Sequence, residues 1–219
     1  MGIWLKKIEE YRMVSREDIF LDSRIKAENQ AKTFINNKCG NLNVIDYKQL
    51  YILFNTERVP KNINTVELQD NDTFRRFQRS FSGNNPKSIN QKTDEANAFI
   101  ASIWKSDDAE YIKDVLDNNW RSCRITGGGS GFPTMILYLK YPERYNIWLP
   151  FTTNAIYELY NRGITFVKYK YKSKYNLLSY MKFNKYVNDY FYIHNKFEPS
   201  IMPQEIDYIL YRVGKEKSG

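Results

Sequence analysis

Apolar residues recur at helical spacing from the first positions of this chain. Ile3, Leu5, Ile8 and Tyr11 open the pattern. Ser15, three residues ahead of Asp18, has the form of a helix N-cap. Ile19, Phe20, Ile25, Ala31, Phe34 and Ile35 then carry an apolar stripe to about residue 37, and Gly40 stands where a C′ glycine ends a helix. Residues 46–54, DYKQLYILF, read as a short buried helix followed by a polar loop around Pro60. Asp72 next caps TFRRFQRSF, which Gly83 stops. The stretch 82–94, SGNNPKSINQKTD, is rich in Asn and almost free of bulky apolar residues, and it reads as a linker.

Beyond it the helical spacing resumes over 95–104, 107–120, 132–139, 152–160 and 175–194. Pro203 sits at the first position of a last helix, PQEIDYILYRV. Only 164–174, ITFVKYKYKSK, alternates with period two. The expected fold class is therefore all-α: a multi-helix protein with a glycine hairpin between helices and one short extended segment. The linker places a boundary between an N-terminal helical subdomain, 1–85, of unassigned role and a second subdomain, 86–219.

Charge adds a partner class to this picture. The chain has 33 Lys and Arg against 25 Asp and Glu, a net charge of +8, which favours a polyanionic partner such as nucleic acid. Aromatic residues make up 16%, with 18 tyrosines, although an AT-rich coding sequence inflates Tyr, Asn, Lys and Ile together. Cys39 and Cys123 stand far apart and suggest neither a disulfide framework nor a zinc site. No run of 18 apolar residues is present and the first residues do not resemble a signal peptide, so the expected location is the cytoplasm.

The most informative run is Cys123-Arg124-Ile125-Thr126-Gly127-Gly128-Gly129-Ser130-Gly131-Phe132-Pro133. Four glycines in five residues allow positive φ and close approach of the backbone to a ligand. The next helix begins at once, so its free amides and positive dipole end make phosphate a natural ligand. A Walker A loop is excluded because no Lys follows Gly131, and a dinucleotide fingerprint lacks its preceding strand. A helix–hairpin–helix arrangement remains, in which backbone amides grip a DNA phosphate without reading sequence. The plainer reading is a tight turn between helices. Candidate contacts here are Arg124, Thr126, Gly127, Gly128, Gly129, Ser130 and Gly131.

A second candidate lies downstream. Residues 159–188 contain no acid but carry Arg162, Lys168, Lys170, Lys172, Lys174, Lys182 and Lys185. An extended backbone at 166–174 places Lys168, Lys170, Lys172 and Lys174 on one face, with Phe166, Tyr169 and Tyr171 near or on the other. Such a ribbon suits a phosphate backbone, and equally a solvated edge whose lysines block aggregation. Arg75, Arg76 and Arg79 form a third basic cluster, which reads as an ordinary solvated helix face.

The segment GGGSGFPTMILYLKYPERYNIWLPFTTNAIYEL resembles DNA-recognition regions of modification-dependent restriction systems of the McrBC type. The matching positions are Gly127, Gly129, Gly131, Pro142, Glu143, Arg144, Tyr145 and Ile147, with Glu205, Asp207, Leu210 and Tyr211 near the C-terminal end. The resemblance covers about 95–213, and 1–90 match no named pattern. It implies a DNA-targeting module of a restriction or defence system, with a motor or nuclease supplied by another domain or subunit. The hairpin also resembles that of helix–hairpin–helix DNA glycosylases. Their catalytic Asp would fall at Trp148 or Leu149, and no Lys lies between Arg124 and Lys140, so the scaffold resembles theirs without the chemistry.

The expectation is therefore a binding module with duplex DNA as the favoured ligand and no catalytic residues, cofactor or metal of its own. Tyr145, Trp148 and Tyr169 are candidates to line a pocket for a modified base. The competing classes are a glycosylase or nuclease with atypical catalytic residues and a protein–protein adaptor. His194 is the only histidine, which disfavours a catalytic triad or a histidine metal site.

Overall fold

The computed structural model describes residues 2–17, 19–38, 40–53, 86–119, 131–161, 177–194, 197 and 200–216. Among them every regular element is helical and none is a strand, so the fold is all-α. In chain order these are α1 (Gly2–Glu17), α2 (Ile19–Lys38), α3 (Val44–Leu53), α4 (Pro86–Trp104), α5 (Ala109–Asn119), α6 (Gly131–Lys140), α7 (Pro150–Asn161), α8 (Leu177–Asn188), a π-helical turn (Asp189–His194) and α9 (Pro203–Glu216). The chain forms two compact units: Met1–Ser23 with Tyr141–Gly219, and Arg24–Lys140. One boundary thus falls inside α2.

In the unit Arg24–Lys140, α4 packs against α3, α5 and α6. Ala96, Phe99, Ile100 and Ile103 recur three and four residues apart, so α4 buries one continuous stripe. The end of α2 follows the sequence expectation. Gly40 has φ +82°, and Asn41 N donates to the Lys38 carbonyl at 2.9 Å. A Cβ at Gly40 would stand 2.6 Å from the Ala101 Cβ, so both conformation and space require glycine. Asp46 is not the start of α3 but its third residue. Asn43 Oδ1 accepts from Asp46 N at 3.0 Å and Asp46 Oδ2 accepts from Asn43 N at 2.8 Å, a reciprocal cap. Asp108 caps α5 by accepting from Glu110 N at 2.9 Å.

Two boundaries differ from expectation. Residues 86–94, expected as linker, form the first half of α4, because Pro86 suits a first helical position and the polar run that follows tolerates helix. Ser15 is not an N-cap. It lies in the last turn of α1, where its hydroxyl donates to the Arg12 carbonyl at 2.7 Å. The loop around Pro60, the 73–81 arginine helix, the extended segment 164–174 and both cysteines lie outside the described residues.

In the unit of Met1–Ser23 with Tyr141–Gly219, α9 packs on α7 and α1. Gly214 allows the α7–α9 approach, since a Cβ there would stand 2.0 Å from the Phe151 carbonyl oxygen. Pro203 opens α9 as expected. Glu205, its third residue, reaches back to accept from Met202 N at 2.7 Å. The same buried carboxylate accepts from Arg12 Nε at 3.3 Å and binds Arg16 through Nε and, at 3.2 Å, Nη2. The expected long helix at 175–194 is α8 followed by the π turn.

Candidate nucleic-acid interface

The glycine run enters α6 at Gly131. Arg124, Thr126, Gly127, Gly128, Gly129 and Ser130 lie outside the described residues. Gly131 is buried, and so is every α6 residue to Leu139, as the apolar run FPTMILYL requires. Phe132, Ile136 and Leu137 have no exposed surface, and burying each contributes about 1.5–3 kcal/mol. Pro133 lacks an amide, so the first turn of α6 has one free N–H fewer to offer an anion.

Polar bonds fix the far end of α6. The Tyr138 hydroxyl lies 3.3 Å from Arg24 Nη2 and 3.4 Å from Glu28 Oε2, and Arg24 Nε donates to Glu28 Oε1 at 2.7 Å. Lys140 Nζ donates to the carbonyls of Ile103 at 2.8 Å and Ser106 at 2.9 Å, and pairs with Asp107 at 3.1 Å. A cation thereby satisfies carbonyls at the C-terminus of α4, where the helix dipole favours it.

The turn after α6 is closed by two bonds to one carbonyl: Arg144 N and Tyr145 N both donate to Tyr141 O at 3.0 Å. Residues 145–149 then run as irregular chain along α8, held by asparagines. Asn184 Oδ1 accepts from Asn146 N at 2.6 Å, and Asn188 Oδ1 accepts from Asn146 Nδ2 at 3.0 Å. Asn188 Nδ2 donates to the Arg144 carbonyl at 3.1 Å, and the Tyr180 hydroxyl to the Asn146 carbonyl at 3.0 Å. Chain without regular structure is buried here because side chains supply the bonds a helix would have made. Thr152 ends the run by accepting from Leu149 N at 2.9 Å ahead of α7.

Tyr145 and Trp148 come together, but inside the unit. Tyr145 stacks on Tyr180 at 6.4 Å between centroids, and Trp148 stacks on Tyr180 at 5.5 Å and on Phe183 at 5.8 Å. Tyr145 is 4% exposed and Trp148 has no exposed surface, so both serve as core in this arrangement. A base could stack on Trp148 only if these rings parted. Burial raises the pKa values of Tyr145 and Tyr180 above the ordinary value near 10, Tyr180 well above; the Arg144 charge partly offsets the rise at Tyr145. Tyr169 lies outside the described residues.

The same holds for Lys168, Lys170, Lys172 and Lys174. Their segment joins α7, ending at Asn161, to α8, beginning at Leu177. Within α8, Lys182 and Lys185 are exposed, and Lys185 pairs with Asp189 at 2.6 Å. Glu205, Asp207, Leu210 and Tyr211 are all buried, and Glu205 has an evident structural task in holding Arg12 and Arg16.

The asparagine anchor was not anticipated. Its trace in the sequence is the four-residue recurrence of Tyr180, Asn184 and Asn188 along one face of α8. No protein-family model matches the chain, and neither a curated protein nor a solved structure matches it.

Proposed function

We propose that this chain is a nucleic-acid-binding module, with duplex DNA as its favoured ligand and catalysis supplied by another domain or subunit. The observation that carries the reading is the stretch 159–188, in which seven basic residues occur without a single acid. Segregation on that scale creates a local positive field that screening by interspersed carboxylates does not cancel. Support comes from the sequence of the glycine run ahead of α6, which allows backbone amides to approach an anion closely, although the first residues of α6 itself, from Gly131 on, are buried. The narrower assignment, a targeting module of a modification-dependent restriction or defence system, rests on the resemblance over 95–213.

The test is a titration of the full chain against labelled duplex DNA, single-stranded DNA and RNA over a salt series. Binding that weakens with salt is expected, since each neutralised duplex phosphate contributes about 0.9 to the slope of log affinity against log salt. Lys170→Gln with Lys172→Gln should reduce the affinity and that slope, and Gly129→Val should weaken binding by crowding the hairpin. Affinity for none of the three at low salt overturns the reading and favours a protein partner instead. Comparing methylated with plain duplex tests the narrower assignment.

A further inference from the structure

We infer that the turn 141–145 is a backbone contact of the nucleic-acid surface, with Arg144 binding a phosphodiester oxygen. This rests on the nucleic-acid reading above and adds a site to it in a different part of the chain.

The described arginines spend their charge in different ways. Among the described residues, Arg12 and Arg16 are held by Glu205, and Arg24 by Glu28. The Arg212 guanidinium lies 3.5 Å from the Tyr208 hydroxyl. Arg144 differs. It is exposed, and the described groups facing its guanidinium are two rings, Tyr141 at 5.5 Å and Tyr145 at 5.8 Å from their centroids. An aromatic face attracts the cation without occupying its in-plane N–H groups, so five donors stay free to form the paired bonds that suit a phosphate.

Arg144 is also set in an ordered turn. A flexible surface arginine loses much of its rotamer freedom on binding, which offsets the gain. At Arg144 much of that ordering is already done. Its amide is bonded to Tyr141 O at 3.0 Å and its carbonyl accepts from Asn188 at 3.1 Å. The next residue but one, Asn146, is clamped to α8. Tyr145, one of the two rings beneath the guanidinium, is buried and stacked on Tyr180. Backbone and platform are therefore both fixed before a ligand arrives.

One neighbour opposes an anion. Glu143 is exposed in the same turn, and its charge also reaches Tyr192 in the π turn, whose hydroxyl it helps to keep protonated. The opposition provides a signed control, because removing this carboxylate should strengthen a phosphate contact at Arg144.

The experiment uses the full chain and a labelled duplex of about 20 base pairs, read by fluorescence anisotropy from 50 to 300 mM salt. Arg144→Ala should bind about five- to tenfold more weakly than the wild type at 100 mM salt, with the log–log slope lower by about one. Arg144→Lys should keep the slope and recover part of the affinity, since charge remains but the planar fork is lost. Glu143→Gln should tighten binding about twofold. Near-ultraviolet circular dichroism of the Trp148 stack confirms that each variant is folded. Should Arg144→Ala prove unfolded, Arg144→Gln takes its place with the same expected loss. Equal affinity and slope for the wild type and folded neutral variants overturns the Arg144 contact while leaving the binding function intact. A wild type that binds no duplex overturns both.

Discussion

Each compact unit contains a buried glutamate held by arginine, and the two are built differently. Glu28 and Arg24 sit four residues apart on one helix, with the Tyr138 hydroxyl beside them. Glu205 is held by Arg12 and Arg16, more than 180 residues away in sequence, and also caps its own helix. The first pair is local: helix formation alone brings its members together. The second exists only after α1 and α9 have met, so it registers tertiary structure. A buried carboxylate of that kind is costly to desolvate, and its value lies in the geometry it enforces once the cations are present.

The comparison is sharpest when one partner is removed. Glu205→Ala leaves two guanidiniums facing a buried void and exposes an uncapped amide, and should cost about 3–5 kcal/mol in a urea melt. Arg24→Met should cost about 3 kcal/mol, but Arg24→Met with Glu28→Leu should regain most of that loss, because an apolar pair of similar volume removes both desolvation costs. A double replacement as damaging as the single one would show that the local pair also organises its unit.

The two constrained glycines extend the contrast. Gly214→Ala drives a methyl into the Phe151 carbonyl, where neither backbone can yield, and should cost about 2–3 kcal/mol. Gly40→Ala combines a strained φ with crowding against the Ala101 side chain, and about 1–2 kcal/mol is expected. Thermal melts of both variants would rank them.

Alkaline pH probes the unit that contains α9. Tyr145 and Tyr180, both buried in that unit, have raised pKa values, desolvation being the main cause. A raised pKa means that the folded state keeps the proton to higher pH. The associated stability is complete below pH 10 and falls as pH rises beyond it, by about 1.4 kcal/mol per pH unit for the fully buried Tyr180. Tyrosinate absorbance at 295 nm followed alongside circular dichroism should show the last-titrating tyrosines ionising together with unfolding. Complete ionisation with the fold unchanged would contradict the buried placement of Tyr145 and Tyr180.

The smallest effect is expected at Ser15. Its hydroxyl bonds to a carbonyl within its own helix, so Ser15→Ala should change stability by no more than about 0.5 kcal/mol in a urea melt. A true N-cap would have cost about 1 kcal/mol.

How much could be read from the sequence follows the same division between local and distant. Gly40 and Pro203 were legible because a cap or stop signal acts over a few residues. The first half of α4 was not, since polar, Asn-rich composition marks a linker only when no neighbouring stripe recruits it into a helix. At the candidate interface, α6 was visible from its helical spacing over 132–139. The asparagine clamp was not, because Asn146 and Asn184 are joined by chain folding and no local pattern anticipates their meeting. Trp148, an aromatic beside a turn, looks the same in sequence whether it lines a pocket or fills a core; its stack with Tyr180 and Phe183 identifies it as core.

The contact of Gly214 with Phe151 has a wider consequence for how this protein tolerates change. Where helices meet through side chains, drift at one position is absorbed by its neighbours, and the spacing wanders with them. Here main chain rests on main chain, leaving nothing to trim or pad. The residues around that pivot are free to vary in shape, while the distance between the two rods stays where the carbonyl sets it.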